Sequence, residues 1–329
     1  MIDIKYLFYC IVNPIIAIAG ILGNIMCLLI YGKFWTKDST FEYQIAIAIV
    51  DFFSVSAKLF HWMSSWWIAA YHPLGRAWIK DHTFFVWYYQ HLSGFLRFGA
   101  DSVLPLLTIV MCLNRAAAMY FPFKYQGIRQ PIFVVGTIGS FVVAGSVNSM
   151  GLFRLVITNG TTLRAPIDNS IVPAYLVQVL VLSRNIISVS SIVVVSLLNI
   201  CIFKKYRKVV NSAAKTSITK KHTKEDKLKM TLLVVQSSLV VIGQLPLAID
   251  FYVQYTLPHL SFGLLHDLAT LGITLEASLN FLAYTGTSQW FRAAFVETMM
   301  PCLAVNSSVL KLTTSSHDAK TPQGQAVNK

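Results

Sequence analysis

The sequence predicts an all-α membrane protein: a seven-transmembrane helix bundle with its N-terminus outside, its C-terminus inside and a short amphipathic helix after the seventh span. Three observations carry this. The 329 residues are 55% hydrophobic and only 12% charged, against about 25% charged in a soluble domain. Seven stretches are apolar over the ~20 residues a helix needs to cross about 30 Å of hydrocarbon. Lysines and arginines concentrate in alternate connecting segments. The formal charge of +13 therefore reads as topology, not as a nucleic-acid footprint. The composition excludes a disordered chain, a nucleic-acid-binding module and an ordinary soluble enzyme.

In chain order, residues 1–5 form an extracellular N-terminus and residues 6–285 the bundle. The first span, Tyr6–Tyr31, is too long for the apolar part of a signal peptide and lacks a small-residue cleavage site, so it is read as a true span. The others are Tyr43–Met63, Thr83–Leu113, Ile132–Phe153, Ile171–Phe203, Leu228–Tyr255 and Phe262–Thr285. In residues 286–300, Trp290, Phe291, Ala294, Phe295 and Met299 recur at helical spacing, which suits a helix lying in the membrane interface. Residues 301–329 read as a disordered cytoplasmic tail. No internal repeat is present, which argues against a transporter built from inverted halves.

Positive charge orients the spans. One side holds five basic residues: Lys5, Arg76, Lys80, Arg154 and Arg164. The other side and the tail hold 19, of which ten lie between Lys204 and Lys229 with only Glu225 and Asp226 opposing them. Such a polybasic segment attracts anionic lipid. Three cations, Lys58, Arg97 and Arg184, lie within spans. The sequon Asn159-Gly160-Thr161 falls on the outer side, which makes Asn159 a glycosylation candidate. The five cysteines are scattered, giving neither a disulfide framework nor a metal site. Cys302, just past the amphipathic helix, is a palmitoylation candidate.

Several motifs stand at the ends and middles of the spans. The third span closes on Asn114-Arg115-Ala116, followed by Pro122 and Tyr125. Gly23-Asn24 lies in span one and Ile45 through Asp51 in span two. Span six contains Gly243-Gln244-Leu245-Pro246, and span seven Asn280-Phe281-Leu282-Ala283-Tyr284 with Phe291 beyond it. In order and spacing these resemble the motifs of rhodopsin-like G-protein-coupled receptors, over residues 10 to 300. The segment from Asn114 to Tyr125 is most similar to the class G serpentine superfamily of nematode chemoreceptors. The sequence departs from the family where Asn114 replaces an acid, Ala116 a tyrosine, Gln244 a tryptophan and Phe281 a proline. The cysteine pair tying span three to the second outer loop is absent.

The resemblance implies a receptor in the plasma membrane that binds a small molecule and activates a heterotrimeric G protein. Arg115, with Asn114 and Tyr125, would form the coupling end. With no acid at Asn114 its resting restraint is weaker, and higher basal activity is expected. The resemblance also implies an ion or water site around Asn24, Asp51 and Asn280, with Tyr284 and the Pro246 hinge completing the switch. Glu276 lies one turn from Asn280 on the same face. Two acids facing one cavity call for a bound cation such as sodium or for a proton held on one of them. The bland reading is a hydrogen-bonded packing cluster. Thr313, Thr314, Ser315 and Ser316 in the tail could be phosphorylated to recruit arrestin.

Lys58, His61, Arg97, Asp101, Arg184 and Asp250 are the candidate ligand-binding residues. Arg97 stands where amine receptors place an acid, so a cationic ligand is disfavoured. Either the three cations hold an acidic or strongly hydrogen-bonding ligand, or they are neutralised internally. In the second case Arg97 pairs with Asp101 at i,i+4, and Lys58 and Arg184 pair with Asp250 or Glu276. Trp62, Trp66, Trp67 and Trp78 read as an interfacial aromatic belt. The alternative function is an ion channel or transporter using these charges as a path. No nucleophile or zinc-hydrolase motif is present, so no enzymatic activity and no metal site are expected.

Overall fold

The computed structural model describes residues 7–34, 39–62, 93–148, 174–213, 220–256 and 263–299. Every regular element among them is helical. A π-helical turn, Leu7–Val12, leads into α1, Asn13–Phe34. There follow α2 (Ser39–Trp62), α3 (Ser93–Tyr120), α4 (Pro122–Asn148), α5 (Ala174–Ala213), α6 (Lys220–Thr256), α7 (Gly263–Thr287) and α8 (Gln289–Met299).

Six of these helices are long and apolar enough to cross a membrane: Leu7–Lys33, Phe41–Trp62, Phe95–Tyr120, Gln130–Asn148, Asn185–Lys208 and Met230–Val253. Their exposed faces explain why. On α1 the exposed residues are Ile15, Ile18, Leu22, Ile25 and Leu29, spaced three and four apart. On α5 the same stripe is Leu182, Ile186, Val189, Val193, Leu197 and Ile200. The buried faces meanwhile carry Asn24, Gln44, Asp51, Asn114, Gln236, Gln244, Glu276 and Asn280. Large apolar residues outside and polar ones inside reverse the pattern of a soluble protein, and exposed apolar bands of this extent need lipid against them. The chain is a membrane-embedded helical protein.

The helices pack as a ring in the order α1, α2, α3, α5, α6, α7 and back to α1, with α4 leaning on α3 and α5. Small residues allow the close approaches, as expected where helix association depends on packing and not on the exclusion of water. A Cβ at Gly20 would overlap Ser278 of α7, and one at Gly23 would stand 3.0 Å from Phe281. Gly136 does the same for α4 against Val110 of α3. Three cores result. The largest joins Tyr43, Ile47, Leu107, Met111, Val195 and Leu233 across α2, α3, α5 and α6. A second, at the α8 end, gathers Tyr31, Phe41, Tyr284 and Phe291, with Trp290 stacked 5.1 Å from Phe41. The third holds Tyr9, Val55, Trp62 and Ala277.

α8 is fixed to the bundle by its caps. Ser288 Oγ accepts from the Phe291 amide at 3.1 Å, which satisfies one orphan donor of the first turn. Arg292 donates to the Thr285 and Gly286 carbonyls at 2.7 and 3.1 Å, and Lys33 of α1 pairs with Glu297 at 2.6 Å.

Four expectations need correction. The segment after span three is not a loop, because α4 begins at Pro122 with only Phe121 between the helices. Proline suits the first helical turn, where its missing N–H is not needed, and Tyr125 N bonds Phe121 O at 2.9 Å. Helices α5 and α6 run to Ala213 and from Lys220, past the apolar stretches, because lysine and arginine are good helix formers beyond the hydrocarbon. Trp62 is 1% exposed in the third core, so it is a packing residue and not part of a belt. The fourth correction concerns the ion pairs and follows below. Thr83–Leu92, Trp66, Trp67, Trp78, Asn159, Cys302 and the tail residues Thr313 to Ser316 lie outside the described residues.

Candidate functional site

The site has two parts. The first is a cavity of about 120 Å³ between α2, α3, α5, α6 and α7. Its polar wall is Lys58, Arg97, Asp101 and Ser102, and its apolar wall Phe98, Leu247, Ala269 and Ile273. Ser188 of α5 and Thr270 of α7 add hydroxyls.

Lys58 is 1% exposed. Its ammonium donates to Asp101 Oδ1 at 2.7 Å and to Ser54 Oγ at 2.9 Å. Ser54 in turn donates to the same Asp101 oxygen at 3.0 Å. Ser54 lies one turn before Lys58, so α2 presents both groups on one face to α3. A buried charge is tolerated only when paired and hydrogen-bonded, and this triangle meets both conditions. It corrects the expected pairing: Lys58 takes Asp101, not Asp250 or Glu276. Arg97, one turn from Asp101, stands with its guanidinium 4.4 Å from the Phe98 ring centroid and lines the cavity.

The second part is a polar core running from the cavity toward α8. Asp51 is fully buried and accepts from Asn280 Nδ2. Glu276, one turn along α7, accepts from Gln244 Nε2 of α6 at 3.2 Å. The space for Glu276 comes from Gly243, where a Cβ would overlap its side chain. Asn24 of α1 donates to the Ala277 carbonyl at 2.8 Å, which ties α1 to the same turn of α7. Asp51 Oδ1, Glu276 Oε1, Gln244 Oε1 and Asn280 Oδ1 are buried acceptors with no protein donor. Oxygen acceptors without donors are the chemistry of a hard cation or of ordered water. Among the described residues no group of three or more His, Cys, Asp or Glu could hold a metal ion.

Further along, the Tyr284 hydroxyl meets Gln44 Oε1 at 2.5 Å and also Gln236 Oε1. A phenol has one proton. Gln44 can take it, and Gln236 is satisfied when its amide turns to donate Nε2, which otherwise lacks a partner. Gln44 Nε2 reaches Met111 Sδ at 3.6 Å. One tyrosine thus joins α7 to α2 and α6, and through Gln44 to α3.

The structure therefore brings together Lys58, Arg97 and Asp101 at the cavity, and Asn24, Asp51, Glu276, Asn280 and Tyr284 in the core. His61, one turn past Lys58, and Asp250, one turn past Pro246, do not line the cavity. Asp250 is buried on α6. Arg184 belongs to α5, with its side chain outside the described atoms. Helix α6 continues through Pro246, whose ring approaches Gly272 of α7: a Cβ there would stand 3.2 Å from Pro246 Cγ. Asn114 is fully buried, and neither end of its amide has a partner. Arg115 and Tyr125 are half-buried. Ser54, Gln44 and Gln236 were not singled out from the sequence. The available signal was a polar side chain inside an apolar span. No protein-family model and no curated protein sequence matches the chain.

Proposed function

We propose that this chain is a seven-span receptor of the rhodopsin-like, G-protein-coupled kind, with α7 as the seventh span. In this reading a small molecule binds in the cavity, and the α8 end, with Arg115, Asn114 and Tyr125, engages a heterotrimeric G protein. The N-terminus is then extracellular, the basic α5–α6 connection and α8 face the cytoplasm and anionic lipid, and the protein resides in the plasma membrane. A chemosensory role fits a cavity of small volume.

One observation carries the reading: separate polar contacts between helices, sharing α2, α6 and α7, are spaced from the cavity to the α8 end. Lys58 and Asp101 couple α2 to α3 at the cavity. Asp51 and Asn280 couple α2 to α7, and Gln244 and Glu276 couple α6 to α7. Tyr284 then joins α2, α6 and α7. A ligand that prefers one arrangement of α6 and α7 shifts the whole set, since a ligand moves an equilibrium by its differential affinity for the two states. Asp51, Glu276, Gln244 and Asn280 are the residues that would hold a sodium ion, whose charge would offset the acids.

The test is G-protein activation in cells expressing the chain against its Arg115→Ala variant, at matched surface level. Activation by the wild type and loss in the variant is the expected result. Coupling to no Gα, together with an ion current or uptake carried by the wild type, would replace the reading by a channel or transporter along the same buried charges.

A further inference from the structure

We propose that the cavity takes a small monocarboxylate, its head on Lys58 and Arg97 and a compact apolar body against Phe98, Leu247 and Ile273. This deepens the receptor reading by naming the ligand class of its cavity.

The head follows from Lys58. An ammonium has three donors. Two are spent on Asp101 and Ser54, and the third has no acceptor among the described residues. A donor left unsatisfied in a site 1% exposed is costly, and the cavity that Lys58 lines is where an acceptor can enter. Arg97 lines the same wall, and its planar fork matches a carboxylate better than a single oxygen. Two cations against the one Asp101 carboxylate leave the wall net positive, which disfavours an amine.

The body follows from size and lining. A dry apolar cavity of about 150 Å³ binds benzene, and the cavity here is about 120 Å³. Chloride or water alone would leave Phe98, Leu247, Ala269 and Ile273 facing polar contents. Six or so carbon atoms would fill that half, with the carboxylate in the polar half.

The probe is benzoate, compared with benzamide (neutral, same shape) and benzylamine (cationic). Binding is read by calorimetry and ligand-observed NMR on the full chain in nanodiscs of zwitterionic lipid. Benzoate should bind saturably, and benzamide at least about tenfold more weakly, the worth of one charge-assisted hydrogen bond. Arg97→Gln should lose a similar factor. Ile273→Trp leaves both cations in place and fills the cavity, so it should abolish binding while the protein still unfolds cooperatively. Equal binding of benzoate and benzylamine, binding indifferent to Ile273→Trp, or no saturable benzoate binding would overturn the proposal. Because binding is read without a G protein, the two readings separate. Benzoate binding with no Gα activation sinks the receptor and leaves the ligand class standing. Gα activation by the chain with no benzoate binding sinks the ligand class alone.

Discussion

Replacing Gly243 by alanine adds one methyl group at the tightest contact between α6 and α7. The new Cβ would sit 2.5 Å from Glu276 Cβ and 2.8 Å from Glu276 Cδ. Carbon atoms rest at about 3.5–4.0 Å, so roughly 1 Å must be found. The Cδ can rotate away, but Glu276 Cβ is set by the α7 backbone and cannot. The two helices must therefore separate, which loosens the Gln244–Glu276 hydrogen bond at 3.2 Å and the approach of Pro246 to Gly272. Overpacking of this kind costs about 1–3 kcal/mol. The assay is thermal unfolding of the purified chain in nanodiscs, with Gly139→Ala as control. Nothing lies within 4 Å of a Cβ at Gly139, so there the helical preference for alanine acts alone and is worth up to about 1 kcal/mol in favour. Gly243→Ala should lower the midpoint by several degrees, and Gly139→Ala should leave it unchanged or raise it. Moving the glycine across the interface, as Gly243→Ala with Glu276→Gly, should recover part of the loss. If Gly243→Ala proves as harmless as Gly139→Ala, the α6–α7 contact argued from this geometry is wrong.

Three further outcomes follow from the site. Asp101→Asn leaves the Lys58 ammonium buried without its counter-ion and should cost about 3–5 kcal/mol, whereas the double variant Lys58→Met with Asp101→Leu should come out near neutral; thermal midpoints of the single and double variants give the coupling. Tyr284→Phe removes one hydroxyl that serves both Gln44 and Gln236, so it should destabilise by about 1–3 kcal/mol per amide left unsatisfied and shift basal Gα activation in cells. Asn114→Asp places a carboxylate beside Arg115 and should lower basal activation; an unchanged basal level would show that Arg115 is not restrained from that position.

The helices were legible in the sequence because each lipid-facing stripe is a run of large apolar residues, and a hydropathy window responds to that. Their ends were less so. Hydropathy stops where lysines begin, but the helix does not, which is why α5 and α6 outrun their apolar cores and why Tyr125 proves helical. Within one helix the spacing was informative: Glu276 and Asn280 do share a buried face of α7. Between helices it was not. Arg97 and Asp101 stand four apart and invited pairing, yet Asp101 takes Lys58 from the neighbouring helix, because the rotation of α2 against α3 is decided by packing around Ile47, Val50, Leu104 and Leu107 and not by any spacing along the chain. Gln44, Gln236 and Ser54 were missed for the same reason, since their partners come from other helices.

α7 is the informative exception among the long helices. It has 25 residues, yet it is absent from the six that are apolar enough to cross a membrane by composition alone. Its polar residues include Asp267, Thr270, Thr274, Glu276, Ser278 and Asn280. Asp267 accepts from Tyr9, Glu276 from Gln244, Thr274 bonds the Thr270 carbonyl, and Asn280 donates to Asp51. Helices α1, α2 and α6 all pack against it, so little of its circumference is left for lipid. A window that averages residues without regard to face counts these groups as a cost of insertion, whereas in the bundle Asp267, Glu276 and Asn280 are met by other elements and Thr274 by its own backbone. The helix that fails the composition test is bonded through side chains to the N-terminal turn, α1, α2 and α6. On the receptor reading proposed above, those two properties have one cause: the polar groups that would transmit a rearrangement between helices are the groups that lower the mean hydropathy of the helix bearing them.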